Sequence, residues 1–255
     1  MRLFRPDTPH FRLTTLDQRA ALFAAAGAAA MMVFAFTPQL AALGPQAFVR
    51  LLAADMGIAG VVTGQDFTFG KGRAGSVALL SELGAPWGMW AQAVAPVTDA
   101  DGAVISSSRI RAALQAGDCA TATRLLTRPF AIEGEVQHGD KLGRTIGFPT
   151  ANVDMGSYLR PAYGIYAVRG ILPDGRVLDG AANLGIRPTF DPPKELLEPH
   201  FFDFAESLYG QCIAVQLIAF LRPEAKYDGL DALMAQIALD CEAARQILAG
   251  TPYVA

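Results

Sequence analysis

Apolar and polar positions in the first half of the chain follow a repeating pattern, in which amphipathic stretches alternate with short apolar runs. The amphipathic stretches predict helices, and the apolar runs predict strands. Helices are expected at 16–26, 45–55 and 75–84, and strands at 29–36, 59–64 and 89–97. Elements that alternate in this way are typical of a parallel sheet with right-handed crossovers. Two further helices are expected within 106–126, where Asp118 is placed to cap the second.

The run from Ala20 to Thr37 contains no charged residue and is about long enough to span a bilayer. Gly27 divides it, however, and charged residues precede it. We therefore interpret the run as the end of an amphipathic helix followed by a buried strand, rather than as a membrane span. The first residues do not read as a signal peptide either, because Asp7 and Asp17 interrupt the region where its apolar core would lie.

The pattern changes at Pro129, after which short alternating strand candidates are separated by Gly, Pro and Asp. This pattern predicts a small antiparallel barrel. Beyond Asp228 the apolar positions recur at helical spacing, which predicts a C-terminal helix with Asp228 as its N-cap and Gly250 at its end. The chain is therefore expected to form two domains, residues 1–126 and 127–255.

The composition is that of a globular protein, with 52% hydrophobic and 18% charged residues. A net charge of −3 provides no basic field, so nucleic acid is not an expected partner, although a local positive patch could still bind ATP. The cysteines Cys119, Cys212 and Cys241 are scattered and lack C-x-x-C spacing. They favour free thiols in a cytoplasmic protein over disulfides or structural zinc.

The stretch HGDKLGRTIGFPTAN, residues 138–152, combines glycines, cations and oxygen donors. Its glycines allow close backbone approach to an anion, and its cations add positive charge. These residues are Gly139, Lys141, Gly143, Arg144 and Gly147. Thr150 and Asn152 lie two residues apart, so in an extended segment both side chains point the same way and could ligate Mg²⁺. Taken alone, the stretch fits a glycine-rich turn better than a binding site.

The strand candidate LEPHFFDF places Glu198 and His200 on one face, again two residues apart. Glu198 could act as a general base toward a hydroxyl, which requires reach and an ionised carboxylate. The alternative is that Glu198 is a solvated carboxylate at a strand edge and that His200 is a hydrogen-bonded, partly buried ring. From these residues alone the alternative is favoured.

Two stretches in the first half of the chain could bind anions. GQDFTFGKGRAG, residues 64–75, follows a predicted strand and carries Lys71 and Arg73, as expected of a phosphate-facing loop at the carboxyl edge of a parallel sheet. SSSRIR opens a helix whose free N–H groups, serine hydroxyls and arginines could hold an anion. Simple N-capping by Ser107 or Ser108 is the alternative for the second stretch.

The order of these motifs resembles that of the bacterial bifunctional riboflavin kinase/FMN adenylyltransferases, also called FAD synthetases. GQDFTFGKGRAG and SSSRIR are similar to the adenylyltransferase motifs, and HGDKLGRTIGFPTAN, NLGIRPTF, LEPHFFDF and LYG to those of the kinase, so the resemblance covers nearly the whole chain. It implies an α/β domain of Rossmann-like nucleotidyltransferase fold, here truncated at its N-terminus. A six-stranded antiparallel Greek-key riboflavin kinase barrel with a C-terminal helix would follow.

The resemblance also implies the substrates, the metal and the site residues. In the kinase it implies Mg²⁺ ligands at Thr150 and Asn152, a catalytic base at Glu198 and a flavin contact at Arg222, with ATP, riboflavin and FMN as the small molecules. The ATP phosphates would lie on the loop formed by Gly139, Lys141, Gly143, Arg144 and Gly147. The adenylyltransferase-like residues would be Asp66, Phe69, Gly70, Arg73, Ser107, Ser108 and Arg111.

One departure from the family pattern concerns the adenylyltransferase. The family has an H-x-G-H loop whose histidines contact ATP phosphates, whereas His10, His138 and His200 are the only histidines here and none has that setting. We therefore expect a riboflavin kinase with a defective FMN adenylyltransferase domain. The alternatives are a fully bifunctional enzyme whose start is misassigned here and a flavin- or nucleotide-binding module without catalysis. No membrane is expected as a partner, and self-association stays open.

Overall fold

The computed structural model describes residues 9–138, 147–187 and 194–253. By their contacts the residues separate into two compact units, one holding Ala30–Ile105 and the other holding Pro9–Ala29 together with the chain from Ser106 onward. None of the helices in these ranges is both long and apolar enough to cross a membrane.

The described residues form seven α-helices and ten strands, numbered here in chain order. The helices are α1 Leu16–Ala25, α2 Pro38–Ala41, α3 Pro45–Arg50, α4 Val77–Gly84, α5 Ser107–Gln115, α6 Cys119–Leu126 and α7 Leu230–Ala249. The first strands are β1 Gly60–Gly64, β2 Thr68–Phe69, β3 Gly75–Ser76 and β4 Trp90–Val94. The remaining strands are β5 Phe130–Gln137, β6 Asn152–Asp154, β7 Gly164–Ile171, β8 Val177–Arg187, β9 Lys194–Phe201 and β10 Cys212–Arg222.

The first unit is built around the parallel pair β1 and β4, with Gly60 opposite Trp90. Its apolar core joins α3, β2, α4 and the start of β4, and its buried members are Val49, Phe69, Leu80 and Met89. The side chain of Ser76 accepts a hydrogen bond from the Leu79 N–H and so caps α4. The helices and strands predicted at 45–55, 59–64, 75–84 and 89–97 are therefore confirmed, with limits that differ by a few residues.

The strand predicted at 29–36 is wrong, because no strand is formed there. The side chains of this segment are largely solvent-exposed, at 67% for Met32, 56% for Val33 and 55% for Phe36. An apolar run becomes a strand only when a neighbouring strand takes up its backbone hydrogen bonds. Among the described residues the parallel sheet consists of β1 and β4 alone, and this run pairs with neither strand.

The second unit is a closed antiparallel barrel in which the strands follow the order β10, β5, β6, β9, β8, β7. The strands β7, β8 and β9 form a meander, and β6 lies beside β9, which gives the Greek-key arrangement expected from the sequence. Residues that point into the barrel are fully buried and apolar, among them Ile132, Val153, Tyr166, Leu184 and Leu197. The six-stranded barrel and the C-terminal helix are thus confirmed.

Helix α7 covers part of the outside of the barrel. Helix α7 packs Ala244 and Leu248 against Ala167 of β7, Ala181 of β8 and the adjoining Phe202. Helices α5 and α6 also belong to this compact unit by their contacts. The division by contacts therefore does not fall at residue 127, and the boundary between functional domains at that residue stays a prediction.

Two of the predicted helix caps are wrong. Helix α5 is capped by Ser106, whose hydroxyl accepts the Arg109 N–H, because Ser106 is extended while Ser107 is already helical. Helix α7 begins after Gly229, which has φ of 106° and no side-chain cap, so Asp228 lies one residue too early. The predicted cap of α6 is confirmed, since Asp118 accepts the Thr121 N–H at 2.9 Å.

Candidate active site

A row of polar side chains crosses the outer face of the barrel on β6, β9 and β8. Asn183 of β8 lies directly opposite Glu198 of β9 in the antiparallel register. On the other side of β9, Val153 pairs with Leu197, and the Ala151 N–H donates to the Pro199 carbonyl at 2.9 Å. This register places Asn152 opposite Glu198, so that one carboxylate lies between two amides on adjacent strands.

The three side chains of this row point away from the barrel interior. Their neighbours along each strand, Val153, Leu184 and Leu197, are fully buried inside the barrel. Because successive side chains on a strand point to opposite faces, Asn152, Asn183 and Glu198 share the outer face. Glu198 and Asn183 are half-buried there, and Asn152 is only 8% exposed.

The segment before β6 is held against β9 by two hydrogen bonds. The first is the bond from the Ala151 N–H to Pro199. In the second, Nδ1 of His200 lies 2.8 Å from the carbonyl oxygen of Pro149, which requires a donating Nδ1–H. The His200 ring also lies edge-on to Phe148, with 5.5 Å between ring centroids. These contacts fix the backbone on both sides of Thr150, which is half-buried.

The donor set at this end of the row suits a hard divalent cation. The hydroxyl of Thr150 and the side-chain oxygen of Asn152 are oxygen donors of the kind that Mg²⁺ takes in proteins. Asn152 is only 8% exposed, so little water would compete with a cation for its side-chain oxygen. The residues present therefore fit the metal implied by the sequence.

The predicted phosphate loop falls largely outside the described residues. Gly139, Lys141, Gly143 and Arg144 lie in the range that the structure does not describe. Gly147 has φ of 86°, and no described atom lies within 4 Å of the position that a Cβ would take there. On the other side of the range, the ring of His138 stacks on Tyr209 with 3.9 Å between centroids. The described ends of the loop thus lead from the end of β5 to the Thr150 segment.

The predicted flavin contact, Arg222, is engaged with the C-terminal helix. Its Nε and Nη2 donate to the two carboxylate oxygens of Asp240 at 2.8 and 2.5 Å, and its Nη1 donates to the Pro223 carbonyl. The hydrogen bonds to Asp240 raise the pKa of the guanidinium. The Arg222 guanidinium also lies 5.7 Å from the centroid of the Tyr227 ring. Any flavin contact would therefore use the face of the guanidinium or its remaining donor capacity.

The adenylyltransferase-like residues lie in two different compact units, each described here by itself. Phe69 is 6% exposed and packs in the apolar core of the first unit. Gly70 has φ of 73° and approaches Pro45 so closely that a Cβ would lie 3.0 Å from the Pro45 nitrogen. Asp66 lies in the loop after β1, and Arg73 has a left-handed backbone with φ of 58°.

In the other unit, Ser107 and Ser108 form the first turn of α5. Arg111 of this helix donates from Nε to the Phe11 carbonyl at 2.9 Å, and its guanidinium lies 5.5 Å from the centroid of the Phe11 ring. These contacts attach the segment before α1 to α5. They leave the predicted role of these residues toward a nucleotide untested.

Sequence reasoning missed two features of the site. One is the bond from His200 to Pro149, and the other is the bond from Asn183 Nδ2 to Glu224 Oε1 at 3.2 Å. The pairs are 51 and 41 residues apart along the chain. A spacing of two residues indicates which side chains share a face, but it does not indicate which distant segment lies beside them.

Comparison with known proteins gives two family matches, which together span most of the chain. The model of the riboflavin kinases matches residues 126–248, and that of the FAD synthetases matches residues 1–109. The bifunctional riboflavin kinase/FMN adenylyltransferase of Escherichia coli is 40% identical, over 96% of this chain and 79% of the relative. Its counterpart in Bacillus subtilis is 37% identical, over 93% of this chain and 76% of the relative.

A solved structure with a similar fold carries a different description. It is the crystal structure of a protein from Streptococcus pneumoniae described as a macrolide-efflux protein. The TM-score is 0.83 at 30% sequence identity, with 95% of this chain and 79% of that chain covered. The likeness extends across both compact units, and the efflux description stays with that protein.

Proposed function

This chain belongs to the bifunctional riboflavin kinase/FMN adenylyltransferase family, and we propose that it transfers the γ-phosphoryl group of ATP to the 5′-hydroxyl of riboflavin, giving FMN and ADP. The observation that carries the proposal is the position of Glu198 on β9. Its side chain shares the outer face of the barrel with that of Asn152 on the neighbouring strand β6. The row lies within residues 126–248, which match the riboflavin kinases.

In the proposed reaction Glu198 accepts the proton of the riboflavin 5′-hydroxyl. The hydroxyl oxygen then forms a bond to the γ-phosphorus as the bond to the bridging oxygen breaks, and the leaving electron pair stays on ADP. Phosphoryl transfer depends mainly on positioning and charge neutralisation, and it requires little covalent chemistry from the protein. A half-buried carboxylate fixed on a strand satisfies the requirement for position.

Thr150 and Asn152 would hold Mg²⁺ in this proposal, next to the phosphates of ATP. The bound cation would offset the negative charge that the phosphate oxygens carry. The protein contributes rigidity, because the bonds from Ala151 to Pro199 and from His200 to Pro149 fix the segment that carries both ligands. The loop residues Gly139, Lys141, Gly143, Arg144 and Gly147 would contact the phosphates, and Arg222 the flavin.

The test compares the wild-type chain with Glu198→Gln, which keeps the size of the side chain and removes the base. With riboflavin, ATP and Mg²⁺, we expect FMN from the wild type and a kcat lowered by about 10²–10⁴ in the variant, the usual contribution of a general base. Glu206→Gln is the control, since Glu206 pairs with Arg176 at the exposed surface. If purified wild-type chain forms no FMN, the proposal fails.

A second activity, the transfer of AMP from ATP to FMN to give FAD and diphosphate, is favoured by the match of residues 1–109 to the FAD synthetases. That match gives no sign of the defect expected from the missing H-x-G-H sequence. Incubation of the purified chain with FMN, ATP and Mg²⁺ distinguishes the two expectations. FAD supports the bifunctional enzyme, whereas FMN formation from riboflavin without FAD formation supports the defective domain. Use of ATP and flavins fits a cytoplasmic location, which is part of this proposal.

A further inference from the structure

Asn183 lies between the proposed catalytic base and the proposed flavin contact. The antiparallel registers pair Arg222 of β10 with Ile165 of β7, Ile165 with Asn183 of β8, and Asn183 with Glu198 of β9. Adjacent strands are about 4.8 Å apart, so these residues mark a continuous path across the outer face. A riboflavin molecule with its ring near β10 and its 5′-hydroxyl at Glu198 would lay its ribityl chain over β8.

One hydrogen-bond acceptor on this path lacks a donor among the described residues. The Oδ1 atom of Asn183 is buried from solvent and has no hydrogen-bond partner among the described residues. The other end of the amide is fixed, because Nδ2 donates to Glu224 Oε1 at 3.2 Å. Rotation of the amide by 180° would bring Oδ1 against the Glu224 carboxylate, so this bond assigns the orientation. A buried acceptor left without a partner costs about 1–3 kcal/mol.

The carboxylate that fixes Asn183 is itself held close to the strand. Glu224 lies over Gly185, where a Cβ would come within 2.2 Å of Glu224 Oε1. Gly185 is on the same face of β8 as Asn183, two residues further along. The absence of a side chain at Gly185 therefore allows Glu224 to reach Asn183 and to hold its amide in one orientation.

We infer that Asn183 is a substrate-binding residue of the kinase site, whose Oδ1 accepts a hydrogen bond from a hydroxyl of the ribityl chain. This inference rests on the proposed function, because it takes riboflavin as the substrate. The ribityl chain carries several hydroxyl donors, and a site built to bond them discriminates against a flavin that lacks them. Asn183 thus selects for the polyol chain and leads its terminal hydroxyl to Glu198.

The test uses two flavins that differ only in this chain: riboflavin, and lumiflavin, which carries a methyl group in place of the ribityl chain. In assays of FMN formation, Asn183→Ala is expected to raise the KM for riboflavin roughly three- to tenfold, the worth of one hydrogen bond. The inhibition constant of lumiflavin and the KM for ATP are expected to stay unchanged. If Asn183 had only a structural role, its replacement would weaken the binding of both flavins equally.

Two results would overturn the inference: an equal loss of affinity for riboflavin and lumiflavin, or no loss of affinity for either. Val177→Ala serves as the matched control, because Val177 lies on the same face of β8, six residues away, and is exposed. If Asn183→Ala does not fold, Asn183→Val gives the same comparison with a residue suited to a strand. If the wild type forms no FMN, the proposed function fails, and the fluorescence changes of riboflavin and lumiflavin on binding still test Asn183.

Discussion

The Nδ1 atom of His200 lies 2.8 Å from the carbonyl oxygen of Pro149, and this bond ties β9 to the segment that carries Thr150 and Asn152. The same strand carries Glu198, so the proposed base and the anchor of the proposed metal ligands are two residues apart on one face. Any movement of this part of β9 would shift both sets of groups together.

Replacing His200 by alanine should loosen the Thr150 segment without removing a proposed ligand. We expect the KM for ATP in the presence of Mg²⁺ to rise roughly three- to tenfold, the effect of one lost hydrogen bond on positioning. The KM for riboflavin should change less. His200→Asn, whose amide can donate in place of Nδ1–H, should restore part of the loss. An unchanged KM for ATP in His200→Ala would contradict the anchoring role.

The ion pair between Arg222 and Asp240 predicts a stability effect. Asp240 is 7% exposed, and its carboxylate receives two hydrogen bonds from the guanidinium. Asp240→Asn leaves a partly buried cation without its counter-charge, so we expect the free energy of unfolding to fall by about 2 kcal/mol. Urea denaturation measures this loss. Asp203→Asn, which breaks the exposed pair with Arg245, should change the value by less than about 0.5 kcal/mol.

The same variant tests the role of Arg222. If Arg222 contacts the flavin as the family resemblance implies, loss of its fixed orientation in Asp240→Asn should also raise the KM for riboflavin. A variant that is less stable but binds riboflavin as tightly as the wild type would assign Arg222 to the attachment of α7 alone.

Much of the fold could be predicted from the sequence, because buried apolar residues recur along the chain with the period of a helix or a strand. Side chains of the barrel strands alternate between its interior and its outer face, and α4 begins and ends close to its predicted limits. The run 29–36 has the same apolar composition as a buried strand, yet it forms none. Strand formation depends on a partner, and a single segment does not encode whether that partner is present.

The site was predicted only in part, for a related reason. The spacing of Thr150 and Asn152, and that of Glu198 and His200, indicated which residues share a face. It did not indicate that β6 and β9 are neighbours, which follows from the register of the barrel. Asn183 opens the motif NLGIRPTF, but the motif did not indicate the contact of its side chain, because that contact is with Glu224, which is 41 residues away in the chain.

The three cysteines should differ widely in reactivity. Cys119 is 4% exposed, and burial raises the pKa of its thiol to about 12, whereas Cys212 is exposed. Because the thiolate is the reactive form, iodoacetamide should label Cys212 first and Cys119 at least roughly tenfold more slowly. Mass spectrometry of timed samples measures the order, and Cys212→Ser should lose the fast phase. Fast labelling of Cys119 in native protein would contradict its burial.

The hydroxyl of Tyr158 connects α1 to the barrel. It accepts the Glu133 N–H at 3.1 Å and donates to Gln18 Oε1 at 2.7 Å, while the ring is 3% exposed. Tyr158→Phe leaves one donor and one acceptor with fewer partners, so we expect a loss of about 1–3 kcal/mol in the free energy of unfolding at neutral pH. Tyr253→Phe, at an exposed ring, is the control and should have little effect.

Tyr158 should also give the protein a particular sensitivity to alkali. Burial raises the pKa of Tyr158 to about 12, compared with about 10 for tyrosine in an unfolded chain. Between these values the unfolded chain has released the proton that the folded protein retains, so stability is complete below about pH 10 and falls as the pH rises toward 12. Within that window, each pH unit lowers the free energy of unfolding by about 1.4 kcal/mol through the ionisation of this tyrosine. Urea denaturation between pH 9 and roughly 11 should therefore show a shallower decline in Tyr158→Phe than in the wild type, and equal slopes would contradict the assignment.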